Sequence, residues 1–228
     1  LFAQQSDWLA KLRALKFDVI PDCTSIPRSI DECTQLPTFL IVHLFSGRRR
    51  ATDIHAKLEE FAHERGFRVQ VLSMDTAVSV FYGNLQEGHQ TWKFLSALYK
   101  AGRVSATICG SPCETFSAAR HHQPEPVPGE QPKNWPRPLR SAIRFFGLDG
   151  LTVRELKQAE QGAAFFMQGI MVAAWTLQFG GVYLSEHPWK PEDEAKVSIW
   201  TSPWVELLLQ LPNVRLHRVC QWRGGVHA

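Results

Sequence analysis

The chain has 228 residues, of which 44% are hydrophobic and 21% are charged, and its formal net charge at neutral pH is +3. This is the composition of an ordinary globular protein, and the small positive charge permits nucleic-acid binding without requiring it. No apolar run reaches the ~20 residues that a membrane-spanning helix needs, so we expect no membrane association.

Five cysteines with irregular spacing match neither a disulfide framework nor a zinc site. We therefore expect an intracellular, reducing compartment and no metal centre. The sequence begins without Met and without a signal-peptide pattern, which indicates a fragment or a processed piece. It carries no indication of an oligomeric state.

Residues 1–37 are predicted to form a short N-terminal helical appendage and a connector. The helix prediction rests on apolar residues at helical spacing: Trp8, Leu9, Leu12 and Leu15. The main domain is expected over residues 38–228. It carries a Pro-rich insertion at 121–150, and six prolines between residues 123 and 138 predict that this part is a loop.

Apolar and alternating segments of the main domain predict strands, in chain order, at 39–45, 68–73, 104–108, 181–189 and 214–219. Helical periodicity, caps and stop signals predict helices at 51–65, 91–101, 152–179 and 202–211. Residues 78–85 are either irregular or a short strand. Because strands and helices alternate, we predict an α/β fold with a doubly wound, mostly parallel sheet.

Small, polar or reactive residues follow the predicted strands: Ser46, Gly47, Asp75, Gly83, Asn84, Cys113 and Glu186. The carboxyl ends of the strands in a doubly wound sheet meet at one edge, so we expect these residues to lie together. Asp75 suits a ribose diol, because a carboxylate can accept both hydroxyl protons. Gly47 lets a ligand approach the backbone closely.

Four segments in this order resemble the motifs of the DNA cytosine-5 methyltransferase family: LFSG at 44–47, an acid after the second strand, GSPCETFS at 110–117 and SEHP at 185–188. The resemblance covers residues 39–186, and Pro-Cys-x-x-Phe-Ser after a strand is its most specific part. It implies a Rossmann-like methyltransferase fold, S-adenosylmethionine as cofactor and DNA as partner. It also implies a nuclear location if the protein is eukaryotic.

The resemblance assigns a role to each of several residues. Cys113 would be the nucleophile, and Glu186 would bind N3 of the cytosine. The implied cofactor-binding residues are Phe45, Ser46, Gly47, Asp75, Asn84 and Pro112. The implied nucleic-acid-binding residues are Arg48, Arg49, Arg50, Ser117 and Arg120.

The chemistry of cytosine methylation requires these residue types. Carbon C5 of cytosine is a poor nucleophile, and addition of a thiolate to C6 activates it. A carboxyl group that protonates or hydrogen-bonds N3 makes the ring accept that attack. The target base must also leave the double helix to reach the thiol.

Two of the departures from the family pattern bear directly on the proposed chemistry. Arg48–Arg50 stand where the family has small residues, and Glu114 follows the cysteine where the family has Gln, which would raise the pKa of the thiol. Two alternatives therefore stay open. One is a catalytically degenerate methyltransferase-fold module that binds nucleic acid. The other is a hydrolase that uses Cys113 with one of three histidines as base: His121, His122 or His187.

Overall fold

A four-stranded parallel sheet organises the part of the chain that the computed structural model describes, residues 38–121 and 136–218. The predicted appendage at 1–37, residues 122–135 of the Pro-rich insertion and residues 219–228 lie outside the described residues. The strands are β1 (Thr38–Leu44), β2 (Arg68–Met74), β3 (Ala106–Cys109) and β4 (Val182–Ser185).

The sheet has the order β2-β1-β3-β4, so the chain reverses its direction of travel across the sheet between β1 and β3. Leu44 of β1 stands beside Met74 of β2 and Cys109 of β3, and Cys109 stands beside Ser185 of β4. Such a reversal opens a crevice outside the carboxyl ends of the strands. The predicted α/β class with a parallel sheet is confirmed, and the topology is compatible with a Rossmann-like fold.

Within the described residues, four α-helices accompany the strands: α1 (Ile54–Glu64), α2 (Gln90–Lys100), α3 (Val153–Gln178) and α4 (Pro203–Leu209). Asp53 caps α1 by accepting the Ala56 N–H at 2.9 Å. Thr152 and Glu155 form a capping box at the start of α3, as their spacing predicts. None of the helices in the described ranges is long and apolar enough to cross a membrane.

One predicted strand does not form in the described residues, and the alternative left open for residues 78–85 is decided in favour of irregular structure. Residues 214–218 of the predicted strand at 214–219 form no strand, and residue 219 lies outside the described residues. Residues 78–85 form turns. The N–H groups of Val78 and Ser79 donate to the Asp75 carbonyl at 2.9 and 3.0 Å, and Gly83 N–H donates to the Ser79 carbonyl at 2.8 Å. These local bonds satisfy the backbone that a strand would have paired with the sheet.

The hydrophobic core on one face of the sheet contains a chain of buried hydroxyl groups. Tyr99 of α2 bonds to Thr107 of β3 at 2.9 Å, and Thr107 bonds to Thr176 of α3 at 2.8 Å. Thr176 then donates to the Val172 carbonyl at 2.6 Å. Each hydroxyl therefore has a partner, and the chain ties two helices to the middle of the sheet.

Replacing Thr107 with Val is expected to destabilise the protein by about 1–3 kcal/mol, because the buried Tyr99 hydroxyl loses its acceptor. Urea denaturation of the two proteins measures the difference. Adding Tyr99→Phe removes the orphaned hydroxyl, so the double variant should regain part of the loss. Equal stability of the wild type and Thr107→Val would contradict the proposed role of the hydroxyl chain.

Candidate functional site

Main-chain hydrogen bonds join the carboxyl ends of β1, β3 and β4 just beyond the strands. Gly110 N–H donates to the Leu44 carbonyl at 3.2 Å, and Glu186 N–H donates to the Cys109 carbonyl at 3.1 Å. These bonds extend the ladder past the last paired residues. They hold Glu186 beside the start of the loop at residues 110–117, called here the Cys113 loop.

Cys113 is half-buried at this edge of the sheet, and Glu186 is exposed. Burial raises the pKa of the Cys113 thiol, and the nearby carboxylates of Glu186 and Glu114 raise it further. The thiol is therefore protonated at neutral pH. Cys109 is fully buried and its pKa is raised to about 11, mainly by burial. Of the two cysteines in the described ranges, Cys113 is the accessible one.

The Cys113 loop is anchored by two buried side chains, those of Thr115 and Phe116. Phe116 N–H donates to the Cys113 carbonyl at 2.9 Å and closes a turn. Thr115 lies so close to Gly162 of α3 that a Cβ at position 162 would be 2.3 Å from Thr115 Oγ1. The turn that carries the thiol therefore packs directly against α3.

The sequence reasoning missed Arg140, which is only 1% exposed. Its guanidinium lies 4.1 Å above the centre of the Phe116 ring. It donates to the carbonyl of Phe145 at 2.5 Å and to the carbonyl of Ala159. Burial lowers the pKa of Arg140 to about 9, so the side chain stays charged at neutral pH. No pattern in a single sequence marks this arginine, because arginine is usually exposed.

Asp75 follows β2, and two main-chain amides orient its carboxylate. Gly47 N–H donates to Oδ2 at 3.0 Å, and Ala77 N–H donates to Oδ1 at 2.7 Å. Gly47 has φ +69°, and a Cβ built on it would meet no atom within 4 Å. Phe45 has φ 57°, a left-handed conformation that residues other than glycine rarely adopt. Open space and an unusual backbone thus coincide at the end of β1.

The turns after β2 bring Asn84 back to the site. A Cβ at Gly83 would lie 1.9 Å from the Asp75 carbonyl oxygen, so the close approach requires glycine. Asn84 is half-buried, and its Oδ1 accepts the Gln86 N–H at 3.0 Å. Asn84 therefore lies one residue away from a backbone contact with Asp75.

These groups fit the ribose end of S-adenosylmethionine. Each Asp75 oxygen accepts one amide hydrogen bond and keeps a second lone pair for a hydroxyl group. The space beside Gly47 is open. Two further predicted cofactor-binding residues are half-buried. Ser46 lies just after the end of β1, and Pro112 lies within the Cys113 loop.

The three arginines after Gly47 have different surroundings. Arg49 Nε donates to Asp53 Oδ2 at 2.7 Å, and its Nη1 lies 2.5 Å from His55 Nδ1. Arg49 is thus part of the start of α1. Arg48 and Arg50 are exposed.

Arg120 contacts the protein's own backbone. Its Nε donates to the Glu114 carbonyl at 2.6 Å, and its Nη1 donates to the Arg137 carbonyl at 3.1 Å. Ser117 is half-buried, and its carbonyl accepts the Arg120 N–H at 3.3 Å. Ser117, at the end of the Cys113 loop, and Arg120, which follows the loop, therefore both take part in local backbone contacts.

His187 follows Glu186 and is buried, with no hydrogen bond of normal geometry to either ring nitrogen within the described ranges. Burial lowers its pKa to about 4, and the Pro188 main chain opposes this shift more weakly. Because His187 has no such bond to the Cys113 thiol, it is not placed as the base of a hydrolase. His122 lies outside the described residues.

In the described part of the chain, no group of His, Cys, Asp and Glu side chains could hold a metal ion.

A cavity of about 900 Å³ runs along the edge of β4 that has no neighbouring strand in the described sheet. Its lining includes Ser111 and Glu186 near the carboxyl end of β4 and Gly180 near the amino end. Gly47 and Asp75 do not line it. The cavity therefore reaches the Cys113 side of the site and not the Asp75 side.

Replacing Glu186 with Gln is expected to lower the pKa of the Cys113 thiol, because one of the charges that raise it is removed. The rate of Cys113 alkylation by iodoacetamide at neutral pH should therefore increase, as measured by peptide mass spectrometry. Glu192→Gln, at an exposed position after β4, is the matched control. An unchanged rate in Glu186→Gln would show that the two groups do not interact.

Stability at acid pH is expected to depend on His187. The unfolded ring protonates below about pH 6.5 and the folded ring only below about pH 4, so stability is lost as the pH falls through this window. The wild type should lose about 3 kcal/mol more than His187→Leu, since each pKa unit corresponds to about 1.4 kcal/mol. Urea denaturation at several pH values tests this, with the exposed His63→Leu as control. Parallel curves for the wild type and His187→Leu would contradict it.

Comparisons with known proteins identify no relative of this chain. No protein-family model matches the sequence, and neither a curated protein nor a solved structure is similar to it. Any proposal of function therefore rests only on the residues of this chain and their geometry.

Proposed function

We propose that this chain is a divergent methyltransferase domain of the DNA cytosine-5 type. It would transfer a methyl group from S-adenosylmethionine to cytosine C5 through an adduct of Cys113 with C6. The observation that carries the proposal is the position of Cys113 and Glu186 beyond adjacent parallel strands, where the carboxylate acts electrostatically on the thiol. Asp75 and Gly47 lie beyond the other two strands and are joined by a hydrogen bond.

Cys113 begins the proposed reaction. The thiol first loses its proton to solvent, and the thiolate then adds to C6, which forms a carbon–sulfur bond and makes C5 nucleophilic. After C5 has gained the methyl group, it loses its proton to a base. The carbon–sulfur bond then breaks, and Cys113 leaves as the thiolate. Protonated Glu186 donates a hydrogen bond to N3 and stabilises the charge that develops on the ring during the attack.

The proposed roles of Glu186 and Cys113 depend on each other. An ionised Glu186 raises the pKa of the thiol. A Glu186 that carries the proton needed at N3 has no negative charge and therefore disfavours the thiolate less. One proton on Glu186 would thus both activate the cytosine and ease ionisation of the nucleophile.

S-adenosylmethionine supplies the methyl group when bound. Asp75 would bind its ribose hydroxyls, because two amides already orient the carboxylate. The other proposed cofactor-binding residues follow β1, β2 and β3: Phe45, Ser46, Gly47, Asn84 and Pro112.

The exposed Arg48 and Arg50 would contact DNA phosphates. Arg49, Ser117 and Arg120 would support the loops that meet the DNA, since their contacts lie within those loops or with neighbouring backbone. Action on DNA would place a eukaryotic protein of this kind in the nucleus.

A nucleic-acid-binding module without methyl transfer is the second candidate. The raised pKa of Cys113 and the arginines at 48–50 favour it. Calorimetric titration with S-adenosylmethionine separates the two functions. Binding supports the methyltransferase, whereas DNA binding without S-adenosylmethionine binding supports the module.

Covalent trapping tests the proposed chemistry directly. Incubation with S-adenosylmethionine and DNA that contains 5-fluorocytosine should give a protein–DNA adduct that survives denaturing electrophoresis, because a fluorine at C5 blocks the final elimination. Cys113→Ser should abolish the adduct, and Cys109→Ser, which changes the buried cysteine, should retain it. Absence of an adduct with a folded wild type that binds both ligands would overturn the proposal.

A further inference from the structure

We infer that Arg140 is a positioning residue that sets the reactivity of the Cys113 thiol by holding Phe116, and with it the Cys113 loop, against the loop that carries Glu186. The inference rests on the proposed function only in taking Cys113 as the reacting group.

The charge of Arg140 is buried. The side chain is 1% exposed, and within the described residues no carboxylate is paired with it. Burying an unpaired charge is costly unless hydrogen bonds satisfy it. Arg140 uses its terminal nitrogens to donate to the carbonyls of Phe145 and Ala159. A hydrophobic residue would fill this position without the free-energy cost of burying a charge. We therefore infer that the guanidinium has a specific role.

Arg140 contacts the ring of Phe116. The guanidinium carbon lies 4.1 Å from the centre of the ring, a favourable cation–π contact in a desolvated place. Phe116 also closes the turn to Cys113 through its N–H. Its ring packs edge-on against the ring of His187 at 6.1 Å, and His187 follows Glu186. Phe116 therefore contacts both loops that carry the proposed reacting groups.

Hydrogen bonds of Arg137 hold the segment that carries Arg140. Arg137 forms two hydrogen bonds with the Glu155 carboxylate, at 2.7 and 2.8 Å. Glu155 is itself part of the capping box of α3. The Arg137 carbonyl accepts a hydrogen bond from Arg120, which also donates to the Glu114 carbonyl. Two arginines thus connect the Cys113 loop to the start of the longest helix.

The consequence concerns the environment of the thiol. Burial and the nearby Glu186 and Glu114 carboxylates raise the pKa of Cys113 in the held conformation. A loosened loop would give the thiol more water and more distance from Glu186. Its pKa should then fall toward that of a free cysteine, while the geometry needed for attack on C6 is lost.

The test measures the rate of Cys113 alkylation by iodoacetamide from neutral to alkaline pH in the full chain, by peptide mass spectrometry. Arg140→Met should shift the profile to lower pH and increase the rate at neutral pH several-fold. Arg140→Lys keeps the charge and should restore part of the wild-type profile. Arg144→Met, at an exposed arginine close by in the chain, is the matched control and should leave the profile unchanged.

A purely structural role predicts a different result. Arg140→Met would then have a lower melting temperature but the wild-type alkylation profile in its folded state, and this outcome would overturn the inference. If Arg140→Met does not fold, Arg120→Met decides, since it releases the same loop by changing only contacts at the surface. A shift to lower pH in Arg120→Met supports the inference, and an unchanged profile overturns it.

Alkylation requires neither DNA nor S-adenosylmethionine, so this test is separate from the test of the proposed function. A wild type that forms no DNA adduct leaves the positioning role intact. Conversely, an unchanged alkylation profile in Arg140→Met leaves methyl transfer by Cys113 intact.

Discussion

The parallel alignment of strand ends is the constraint on which the site depends. Leu44, Cys109 and Ser185 are neighbours across β1, β3 and β4, and the hydrogen-bond ladder continues one residue beyond them. Each loop that leaves this line carries one of the proposed functional groups. Residues far apart in the sequence meet because all the strands point the same way, and the reversal of strand order beside β1 leaves space between the loops.

The charges at this edge are distributed in a way that affects the proposed reaction. The carboxylates near Cys113 favour the protonated thiol, whereas two arginines of the loops are engaged elsewhere, Arg49 with Asp53 and Arg120 with backbone carbonyls. The Cys113 thiol of the free protein is therefore protonated. In the proposed reaction, its activation would have to come with the substrate, through the proton that Glu186 and N3 of the cytosine share.

The sequence predicted much of the fold, because its signals there are local. The capping box at Thr152 and Glu155 and the apolar run that becomes β1 depend on neighbouring residues, and both are seen in the structure. The strand prediction at 214–219 was wrong, because strand pairing depends on distant residues: residues 214–218 have a strand-like pattern but no strand partner in the described sheet. For residues 78–85 the pattern left a strand and irregular structure open, and in the structure they satisfy their backbone through turns.

Local patterns in the chain are enough to show which reactive residues follow which strands, and the α/β alternation then requires Cys113, Glu186 and Asp75 to share one edge of the sheet. How these groups are held depends on contacts that form only in the folded chain. The burial of Arg140 over Phe116, the close approach of Gly83 to Asp75 and the contact of Thr115 with Gly162 join residues that no local pattern connects. The physical reason is that periodicity records which side of an element is apolar, whereas close packing between elements depends on shapes that meet only when the chain has folded.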